Sequence, residues 1–518
     1  MSAGLAETFF RQAERAPDKL AVWCEGEGLT YGGLADRVAR WSAALAARGV
    51  RRGDHVAVLL PSSVDYVALF LVSATLGLIM VPLPPTLPPG AVEQACRAAD
   101  IRHLVACRSV LADLREAEPD ILDRLIPGLR LSVDAEADEG GISALSVLLA
   151  EAPDDAAPPF AAEPDDAFIL TMTSGSTGDP KPIVLTQRSK INRAAAAVAM
   201  YGVTEADVTL AATPLYHSLA ERLVLIPLLT GGTSVVMARF SPSEWLAAIA
   251  RHRISFTIAV SSQLKQILPA LQSGEAEVSS LRCIVSSSAL LDADVKEQLV
   301  ATLKCDFHEC YGASEIAIAS NLAPDTPPGK LSSVGKAAHG VDVLILAEDG
   351  SPAAEGEVGE IACRTPMLFG GYYKKPDLTR AAMRGDYFRT GDLGRLDKDG
   401  YLYFLGRKKD LIITGGINIY PSDIEQAVAG FAPVLESAAF AVPDDKLGEV
   451  VGLAVVPRDA GAFDLRGLRF HCADHLADFQ QPRKYLLLDA LPRTALGKLA
   501  RRQLIDLYDA ETQGDNKK

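Results

Sequence analysis

The sequence contains few of the features that mark secreted or nucleic-acid-binding proteins. Its 518 residues include eight cysteines, and their spacing matches neither a disulfide framework nor a metal site. Acidic residues outnumber basic ones by 66 to 51, which gives a formal net charge of −15. Because a protein of this sign repels phosphate backbones, the composition argues against a nucleic-acid partner. Unpaired cysteines and a charged N-terminus without a signal-peptide pattern predict a cytoplasmic protein.

Long apolar runs are also scarce. One uncharged stretch, residues 66–85, has about the length that spans a bilayer. Gly77 divides this stretch into a helix-like half and a short β-branched run at residues 79–81, and prolines follow. This pattern favours a buried helix–strand unit, so we expect no stable insertion into a membrane.

Apolar strand-like runs alternate with amphipathic helix-like stretches along most of the chain. The clearest runs are residues 55–60, 255–260, 281–288, 342–347 and 359–364. Strands that alternate with helices predict parallel sheets covered on both faces, and hence an α/β fold. The chain is too long for one compact domain. From about residue 410 the pattern changes to a shorter βαβ-like block, which predicts a second, small domain.

The strongest motif is Thr-Met-Thr-Ser-Gly-Ser-Thr-Gly-Asp-Pro-Lys at residues 171–181, between two apolar runs. Glycines permit positive φ and close backbone approach, so N–H groups and hydroxyls can surround a polyphosphate, with Lys181 as a cation. It is not a Walker A loop, because Gly-x4-Gly-Lys-Ser/Thr is absent. A polar hairpin turn would not require so many hydroxyls together with a lysine. The predicted phosphate-binding residues are Thr173, Ser174, Gly175, Ser176, Thr177, Gly178 and Lys181.

Five further motifs follow this loop in the chain. They are Pro-Leu-Tyr-His (214–217), Tyr-Gly-Ala-Ser-Glu (311–315), Tyr-Phe-Arg-Thr-Gly-Asp (387–392), Gly-Arg-Lys-Lys-Asp (406–410) and Pro-Arg-Thr-Ala-Leu-Gly-Lys (492–498). The ordered set resembles the superfamily of adenylate-forming enzymes, which includes acyl- and aryl-CoA synthetases, peptide-synthetase adenylation domains and beetle luciferases. The resemblance covers nearly the whole chain and is strongest for the acyl- and aryl-CoA synthetase branch.

This resemblance implies a two-domain architecture. The large N-terminal domain, residues 1–406, is expected to contain α/β layers with parallel sheets flanked by helices, plus a small β-barrel-like part. The small C-terminal α+β domain, residues 407–518, is expected to be a mobile lid.

The resemblance also implies a nucleotide site. Tyr311 is expected to offer an aromatic face to adenine, and Asp392 to accept hydrogen bonds from the ribose hydroxyls. Thr173 and Glu315 are expected to bind Mg²⁺, which prefers hard oxygen ligands. The residues implied to bind ATP or AMP, besides the phosphate loop, are Ser288, Ala289, Tyr311, Gly312, Ala313, Ser314, Asp392 and Arg407. The segment 286–289, Ser-Ser-Ser-Ala, departs from the family's Gly-Gly-Ala, so contacts with adenine are expected to differ there.

The resemblance implies that catalysis depends on Lys498, His217 and Glu315. A carboxylate that attacks an α-phosphate must overcome repulsion between two anions, and Lys498 is implied to stabilise both. In the second half-reaction the small domain of the family rotates, and Lys409 falls at the hinge position. The loop that reaches the active site in the thioester-forming state is implied to contain Gly415, Gly416 and Ile417.

His217 bears on the substrate. Peptide-synthetase adenylation domains have an aspartate at this position to hold the ammonium group, whereas acyl- and aryl-acid enzymes tend to have a histidine that gates the thiol tunnel. An ordinary α-amino acid is therefore disfavoured. Glu221 and Arg222 follow closely, and as a charged pair they could bind a second polar group of the acid. We expect them instead to form a surface pair on a helix.

The residues therefore predict an ATP- and Mg²⁺-dependent enzyme that converts a small carboxylic acid to acyl-AMP and then to its coenzyme A thioester. The main alternative is a stand-alone ligase that loads the phosphopantetheine of a carrier protein. A non-catalytic relative is expected to have lost Lys498, Lys181 or Glu315, and all three are present. The acid, its chain length, and the choice between a monomer and a homodimer stay open.

Overall fold

A computed structural model describes residues 4–153, 156–158, 160–174, 180–274, 276–493 and 499–515, with the backbone alone at residues 173, 174, 180 and 512–515. Its strands, in chain order, are β1 (Leu20–Cys24), β2 (Glu27–Thr30), β3 (His55–Leu59), β4 (Ile79–Pro82), β5 (His103–Ala106), β6 (Arg130–Ser132), β7 (Ser143–Ala144), β8 (Ala167–Ser174), β9 (Pro180–Thr186), β10 (Val208–Ala211), β11 (Thr233–Val236), β12 (Phe256–Val260), β13 (Cys283–Ser287), β14 (Asp306–Tyr311), β15 (Ser320–Leu322), β16 (Lys336–Ala337), β17 (Asp342–Leu346), β18 (Gly359–Arg364), β19 (Met383–Arg384), β20 (Tyr387–Leu396), β21 (Leu402–Arg407), β22 (Ile412–Thr414), β23 (Ile417–Ile419), β24 (Val434–Asp444), β25 (Gly448–Pro457) and β26 (Lys484–Leu487).

The α-helices, in chain order, are α1 (Leu5–Arg15), α2 (Tyr31–Ala47), α3 (Val64–Leu76), α4 (Pro89–Ala98), α5 (Arg108–Ala117), α6 (Ile121–Leu125), α7 (Leu145–Ala150), α8 (Gln187–Tyr201), α9 (Ser218–Thr230), α10 (Pro242–His252), α11 (Ser261–Gln272), α12 (Ala293–Thr302), α13 (Pro376–Ala381), α14 (Pro421–Ala429), α15 (Leu465–His475) and α16 (Arg501–Asp515). Short 3₁₀ turns occur at Pro328–Lys330, Lys408–Asp410 and Asp478–Gln480.

Across the described ranges the strands form four sheets. Nine strands follow the order β16-β15-β14-β13-β12-β10-β11-β1-β2, and seven follow β7-β6-β5-β3-β4-β8-β9. Most pairs inside these two sheets are parallel, which confirms the predicted α/β fold. The third sheet, β17-β18-β20-β19 with β21 on β20, is antiparallel.

The C-terminal sheet has the order β23-β22-β25-β24, with β26 paired to β25. Strands β25 and β26 are parallel and are connected through α15, so the predicted βαβ-like block is present. A long antiparallel hairpin, β24–β25, is added to it. The five apolar runs singled out in the sequence contain β3, β12, β13, β17 and β18, as predicted.

The uncharged stretch of residues 66–85 is a buried helix–strand unit. Helix α3 starts after Ser63, whose hydroxyl accepts the backbone N–H of Tyr66, and it ends at Gly77, which has a left-handed φ of 70°. A left-handed residue stops a helix at little cost when it is glycine. Strand β4 then pairs in parallel with β3. No helix in the described ranges is long and apolar enough to cross a bilayer.

The clusters of buried hydrophobic side chains fall into two groups along the chain. The largest cluster of buried side chains extends from Leu5 to Leu402, and two further clusters lie within the same region. The C-terminal sheet has clusters of its own, which begin at Ile412 and Ala438. Separate cores on either side of residues 403–411 are consistent with the proposed boundary between residues 1–406 and 407–518.

Candidate active site

The motif at residues 171–181 lies on a β-hairpin at the edge of the seven-stranded sheet. Strands β8 and β9 are antiparallel, and the register places Thr173 opposite Lys181 and Ser174 opposite Pro180. Gly175, Ser176, Thr177 and Gly178 lie outside the described residues. The two strands predicted on either side of these residues are therefore present.

Four sequence segments meet at one edge of the nine-stranded sheet. Strands β10, β12, β13 and β14 are parallel neighbours, so their carboxyl ends lie at the same edge. The chain segments that leave these ends are residues 212–217, 261–263, 288–289 and 312–315. Ligands of open α/β sheets bind at this edge, outside the carboxyl ends of the strands. The fold thus gathers the predicted gate and adenine segments in one place.

The segment that follows β14 is a tight turn which requires glycine. A Cβ atom on Gly312 would lie 2.1 Å from the carbonyl oxygen of Ala317 and 2.9 Å from Cα of Ile318. Ala317 has a left-handed φ of 62°, and the N–H of Ala319 donates a 2.7 Å hydrogen bond to the carbonyl of Tyr311. The turn returns the chain upon itself, and inside it the carbonyl of Ala313 accepts hydrogen bonds from the N–H groups of Ile316, at 3.2 Å, and Ala317, at 2.8 Å.

Tyr311 joins this turn to the antiparallel sheet. Its hydroxyl donates a 2.7 Å hydrogen bond to Oδ2 of Asp392 on β20. Arg407, which pairs with Asp392 in the β20–β21 register, places Nε 3.8 Å from Oδ1 of the same carboxylate. Burial, and next the nearby Asp392 carboxylate, raise the pKa of Tyr311 well above its ordinary value, so the phenol stays a hydrogen-bond donor. The predicted adenine and ribose residues thus form one connected group.

Glu315 is held by a residue that the sequence did not point to. Its Oε1 accepts a 2.9 Å hydrogen bond from the hydroxyl of Tyr372, and burial, with the carboxylate nearby, raises the pKa of that phenol. Tyr372 forms a bridge with Ile183 on β9, the strand that leaves the phosphate hairpin. Tyr372 therefore brings Glu315 toward that hairpin. The signal in the sequence was the cluster Gly-Gly-Tyr-Tyr at residues 370–373.

The residues present fit a Mg²⁺ ion that is bound mainly by its nucleotide. Mg²⁺ in nucleotide sites takes one or two carboxylates together with phosphate oxygens. Glu315 offers one carboxylate, and Thr173 stands opposite Lys181 at the end of β8, with only its backbone described. When bound, Mg²⁺ supplies positive charge that offsets the charge of the phosphates.

His217 caps the start of α9. The backbone N–H of His217 donates a 3.0 Å hydrogen bond to the carbonyl of Pro214, so residues 214–217 form a turn. The imidazole packs edge-on against Tyr216, with ring centroids 4.4 Å apart. In the neighbouring segment, Ser288 has a left-handed φ of 76°, and the carbonyl of Ala289 accepts a 2.5 Å hydrogen bond from Ser261. Both segments lie at the edge where the strands end.

The expectation that Glu221 and Arg222 form a surface pair is wrong. Glu221 is buried, and its Oε2 lies 2.6 Å from Nζ of Lys190 on α8, which is also buried. Three residues further along α8, Arg193 donates hydrogen bonds to the carbonyls of Ser314, at 2.8 Å, and Met367, at 3.2 Å. Lys190 and Arg193 were missed, although two cations three residues apart in the Ala-rich stretch of α8 are an unusual pattern for a buried helix.

The C-terminal predictions fall in two places. Lys409 lies in the short turn Lys408–Asp410 between β21 and the C-terminal sheet. Gly415 and Gly416, with φ of 56° and 84°, form the two-residue turn of the β22–β23 hairpin, and Ile417 after them is 45% exposed. Two successive positive φ angles are typical of a type I′ turn. Lys498 lies outside the described residues, and Arg493 and Leu499 form a bridge on either side of it.

Residues 9–373 match the family of AMP-binding enzymes, and residues 423–498 match the family of AMP-binding enzyme C-terminal domains. A sulfoacetate–CoA ligase of Cupriavidus necator is 33% identical over 97% of this chain and 97% of its own. A feruloyl-CoA synthase of an Amycolatopsis species is 32% identical over 96% and 97%. The structure of the amide bond synthetase McbA from Marinactinospora thermotolerans has a TM-score of 0.87, with 29% identity over 97% and 99%.

Proposed function

Because this chain belongs to the family of AMP-binding enzymes, we propose that it uses ATP and Mg²⁺ to convert a carboxylic acid to an acyl-AMP and transfers the acyl group to coenzyme A. The observation that carries the proposal is the convergence at one sheet edge of the Tyr311–Asp392–Arg407 group, the His217 turn and the neighbouring segments. Curated relatives that cover nearly the whole chain are CoA ligases.

In the first half-reaction, an oxygen of the carboxylate attacks the α-phosphorus of ATP. The bond between this phosphorus and the bridging oxygen breaks, and pyrophosphate leaves with its electron pair. Asp392 and Arg407 hold the ribose, and Tyr311 orients Asp392 while its ring lies beside adenine. Lys181 and Lys498 lower the repulsion between the two anions that must approach each other.

In the second half-reaction, the thiol of coenzyme A gives its proton to solvent and its sulfur attacks the acyl carbon. The bond between this carbon and the phosphate oxygen breaks, and AMP leaves with the electron pair. We assign the hinge to Lys409, because it lies on the short connection between the two sets of hydrophobic cores. The exposed turn at Gly415 and Gly416 is small enough to enter a narrow site beside a thiol.

Two other acceptors compete with coenzyme A. A carrier protein would present the same phosphopantetheine thiol. A primary amine is the second competitor, because an amide bond synthetase has the same fold. Coenzyme A is favoured because curated relatives that match nearly the whole chain are CoA ligases. All eight cysteines are free thiols, which suits the reducing cytoplasm that we propose as its location.

The proposal is tested with a panel of carboxylic acids. Acid-dependent ATP–pyrophosphate exchange measures the first step, and AMP release with coenzyme A, phosphopantetheinylated carrier protein or a primary amine measures the second. We expect at least one acid to support exchange, and coenzyme A to give the fastest AMP release. If none of the acids supported exchange, the adenylation step would be overturned. Faster turnover with a carrier protein or an amine than with coenzyme A would overturn the assigned acceptor.

A further inference from the structure

Residues 369–373, the connecting segment, join two parts of the predicted nucleotide site. At one end, the N–H of Phe369 donates a 2.7 Å hydrogen bond to the carbonyl of Glu315, in the turn that follows β14. At the other end, the N–H of Tyr373 donates a 2.9 Å hydrogen bond to the carbonyl of Pro182 on β9. Strand β9 is the second strand of the phosphate hairpin. Backbone hydrogen bonds therefore connect the adenine turn to this hairpin.

From the connecting segment, the side chain of Tyr372 reaches the carboxylate of Glu315. Its hydroxyl donates a 2.9 Å hydrogen bond to Oε1. Two contacts restrict Tyr372 itself, because its N–H donates to the hydroxyl of Thr379 at 2.9 Å and its ring packs edge-on against Phe369. A glutamate side chain loses rotational freedom when it is held in one orientation. A fixed donor meets this cost during folding, so that it does not reduce the affinity for a ligand.

Arg193 on α8 fixes the backbone on both sides of this contact. Its side chain is buried, and Nη2 donates hydrogen bonds to the carbonyls of Ser314, at 2.8 Å, and Met367, at 3.2 Å. Ser314 directly precedes Glu315, and Met367 lies two residues before the connecting segment. The planar guanidinium carries its donors in a rigid fork, so it can hold two carbonyls at a set separation. One helix thus holds both the turn and the start of the segment.

The position of Arg193 is unfavourable for stability alone. A charge that is removed from water and bonded to neutral carbonyls carries a desolvation penalty. An apolar side chain would fill this place on α8 without that penalty. The guanidinium is therefore better explained by the two carbonyls that it fixes than by a contribution to the free energy of unfolding.

We propose that Tyr372 and Arg193 are positioning residues for Glu315. Arg193 fixes the backbone of the turn and Tyr372 fixes the carboxylate, so that an oxygen ligand for nucleotide-bound Mg²⁺ is in place before ATP binds. Through these two residues the enzyme distinguishes MgATP from metal-free ATP. This inference rests on the proposed function, and it adds two residues that act through Glu315 and not on the substrate.

The test measures the dissociation constant of ATP by calorimetry, without acid or coenzyme A, in EDTA and at increasing concentrations of free Mg²⁺. We expect Mg²⁺ to tighten the binding of ATP to the wild type. Tyr372→Phe keeps the ring and loses only the hydroxyl. It should need about tenfold more Mg²⁺ for the same tightening, the lower end of the range for residues that orient a metal ligand. Its affinity for ATP in EDTA should equal that of the wild type.

Tyr373→Phe is the matched control, because the hydroxyl of this neighbouring tyrosine donates a 2.8 Å hydrogen bond to Asp100 at the surface. This variant should keep the Mg²⁺ dependence of the wild type. Glu315→Gln sets the upper limit of the effect, because it removes the charge of the carboxylate that Tyr372 holds. It should lose most of the tightening by Mg²⁺.

Arg193→Gln should shift the Mg²⁺ dependence in the same direction as Tyr372→Phe. Arg193→Lys keeps the charge but not the fork, so it should recover part of the shift. Arg188→Gln, at an exposed arginine of α8 that pairs with Asp165, should behave as the wild type. The unfolding temperature shows which variants fold. If Arg193→Gln does not fold, Arg193→Lys is compared with the wild type directly and should still need more Mg²⁺.

Three outcomes would overturn the inference. The first is an unchanged Mg²⁺ dependence in Tyr372→Phe or in the folded Arg193 variants. The second is equal weakening of ATP binding with and without Mg²⁺, which would show that these residues only support the fold. The third is a normal Mg²⁺ dependence in Glu315→Gln. Failure of the proposed function looks different, because MgATP would then bind normally while no acid supports pyrophosphate exchange.

Discussion

The hydroxyl of Tyr311 donates a 2.7 Å hydrogen bond to Oδ2 of Asp392, which is 81 residues further along the chain. This contact connects the end of β14 in the nine-stranded sheet to β20 in the antiparallel sheet. The carboxylate is 13% exposed and lies beside Arg407, so its position is set before any nucleotide binds. A preorganised acceptor of this kind suits a pair of ribose hydroxyls.

Asp392→Asn should weaken ATP binding, because the amide keeps the shape of the carboxylate but loses its charge and one acceptor. We expect the KM for ATP in pyrophosphate exchange to rise at least tenfold, in line with about 1.5–3 kcal/mol for a hydrogen bond to a charged group. Asp397→Asn is the matched control, because Asp397 lies at the turn after β20 and pairs with Lys330. An unchanged KM for ATP in Asp392→Asn would refute the ribose assignment.

Gly312→Ala should abolish adenylation although it adds a single methyl group. The new Cβ would lie 2.1 Å from a backbone oxygen, so the turn that supports Tyr311 must move. Initial rates of exchange at saturating ATP measure the effect, and we expect a loss of at least 100-fold. Gly329→Ala is the control, since no atom lies within 4 Å of its added Cβ. Wild-type exchange in Gly312→Ala would show that the turn is not needed in this form.

Lys498→Ala should separate the two half-reactions. Loss of the cation removes stabilisation of the charge on the transferring phosphoryl group, so acid-dependent exchange should fall by about 10³-fold or more. Thioester formation from a supplied acyl-adenylate should continue at a rate near that of the wild type. Lys484→Ala, at an exposed lysine on β26, is the control. If Lys498→Ala slows both half-reactions equally, the lysine does not act in adenylation alone.

Lys409→Pro should have the opposite effect. Proline restricts φ at the proposed hinge and removes an N–H, so the rotation that precedes thioester formation should be blocked while exchange continues. Lys409→Ala removes the side chain and keeps the backbone free, and it should retain the second step. AMP release with coenzyme A is measured in single turnovers that start from acyl-adenylate. Normal release in the proline variant would place the hinge elsewhere.

His103 should make the large domain less stable in mild acid. Its Nδ1 accepts the N–H of Leu129 at 2.8 Å and its Nε2 lies 3.1 Å from Asp54, while burial lowers its pKa below the ordinary value near 6.5. Because the folded-state pKa of His103 is lowered, its contribution to the free energy of unfolding is present above pH 6.5. This contribution is lost as the pH falls through the folded-state pKa. The urea midpoint should drop between pH 7.5 and pH 5.5.

The drop in the urea midpoint should be smaller in His103→Gln, which has no group to protonate at this site. His339→Gln, at an exposed histidine, should drop as much as the wild type. An equal drop in all three proteins would show that other groups cause the acid sensitivity.

The order of the motifs was enough to predict the family, the ATP-dependent activation of an acid and the use of coenzyme A, and the matches to known proteins confirm these predictions. The sequence also located the strands that carry the motifs, because local alternation of apolar runs and turn residues follows the period of each element. The roles of the individual residues stay predictions, and the tests above address them.

Contacts between distant residues did not follow from the sequence. Glu221 was expected at the surface, yet it pairs with Lys190, which is 31 residues earlier. Tyr372 reaches Glu315 over 57 residues. No local pattern encodes such pairs, because the packing of α8 against α9, and of residues 370–373 against β9, brings them together. Composition and periodicity reflect the neighbours of a residue along the chain, whereas its burial and charge partners depend on which elements pack across the core.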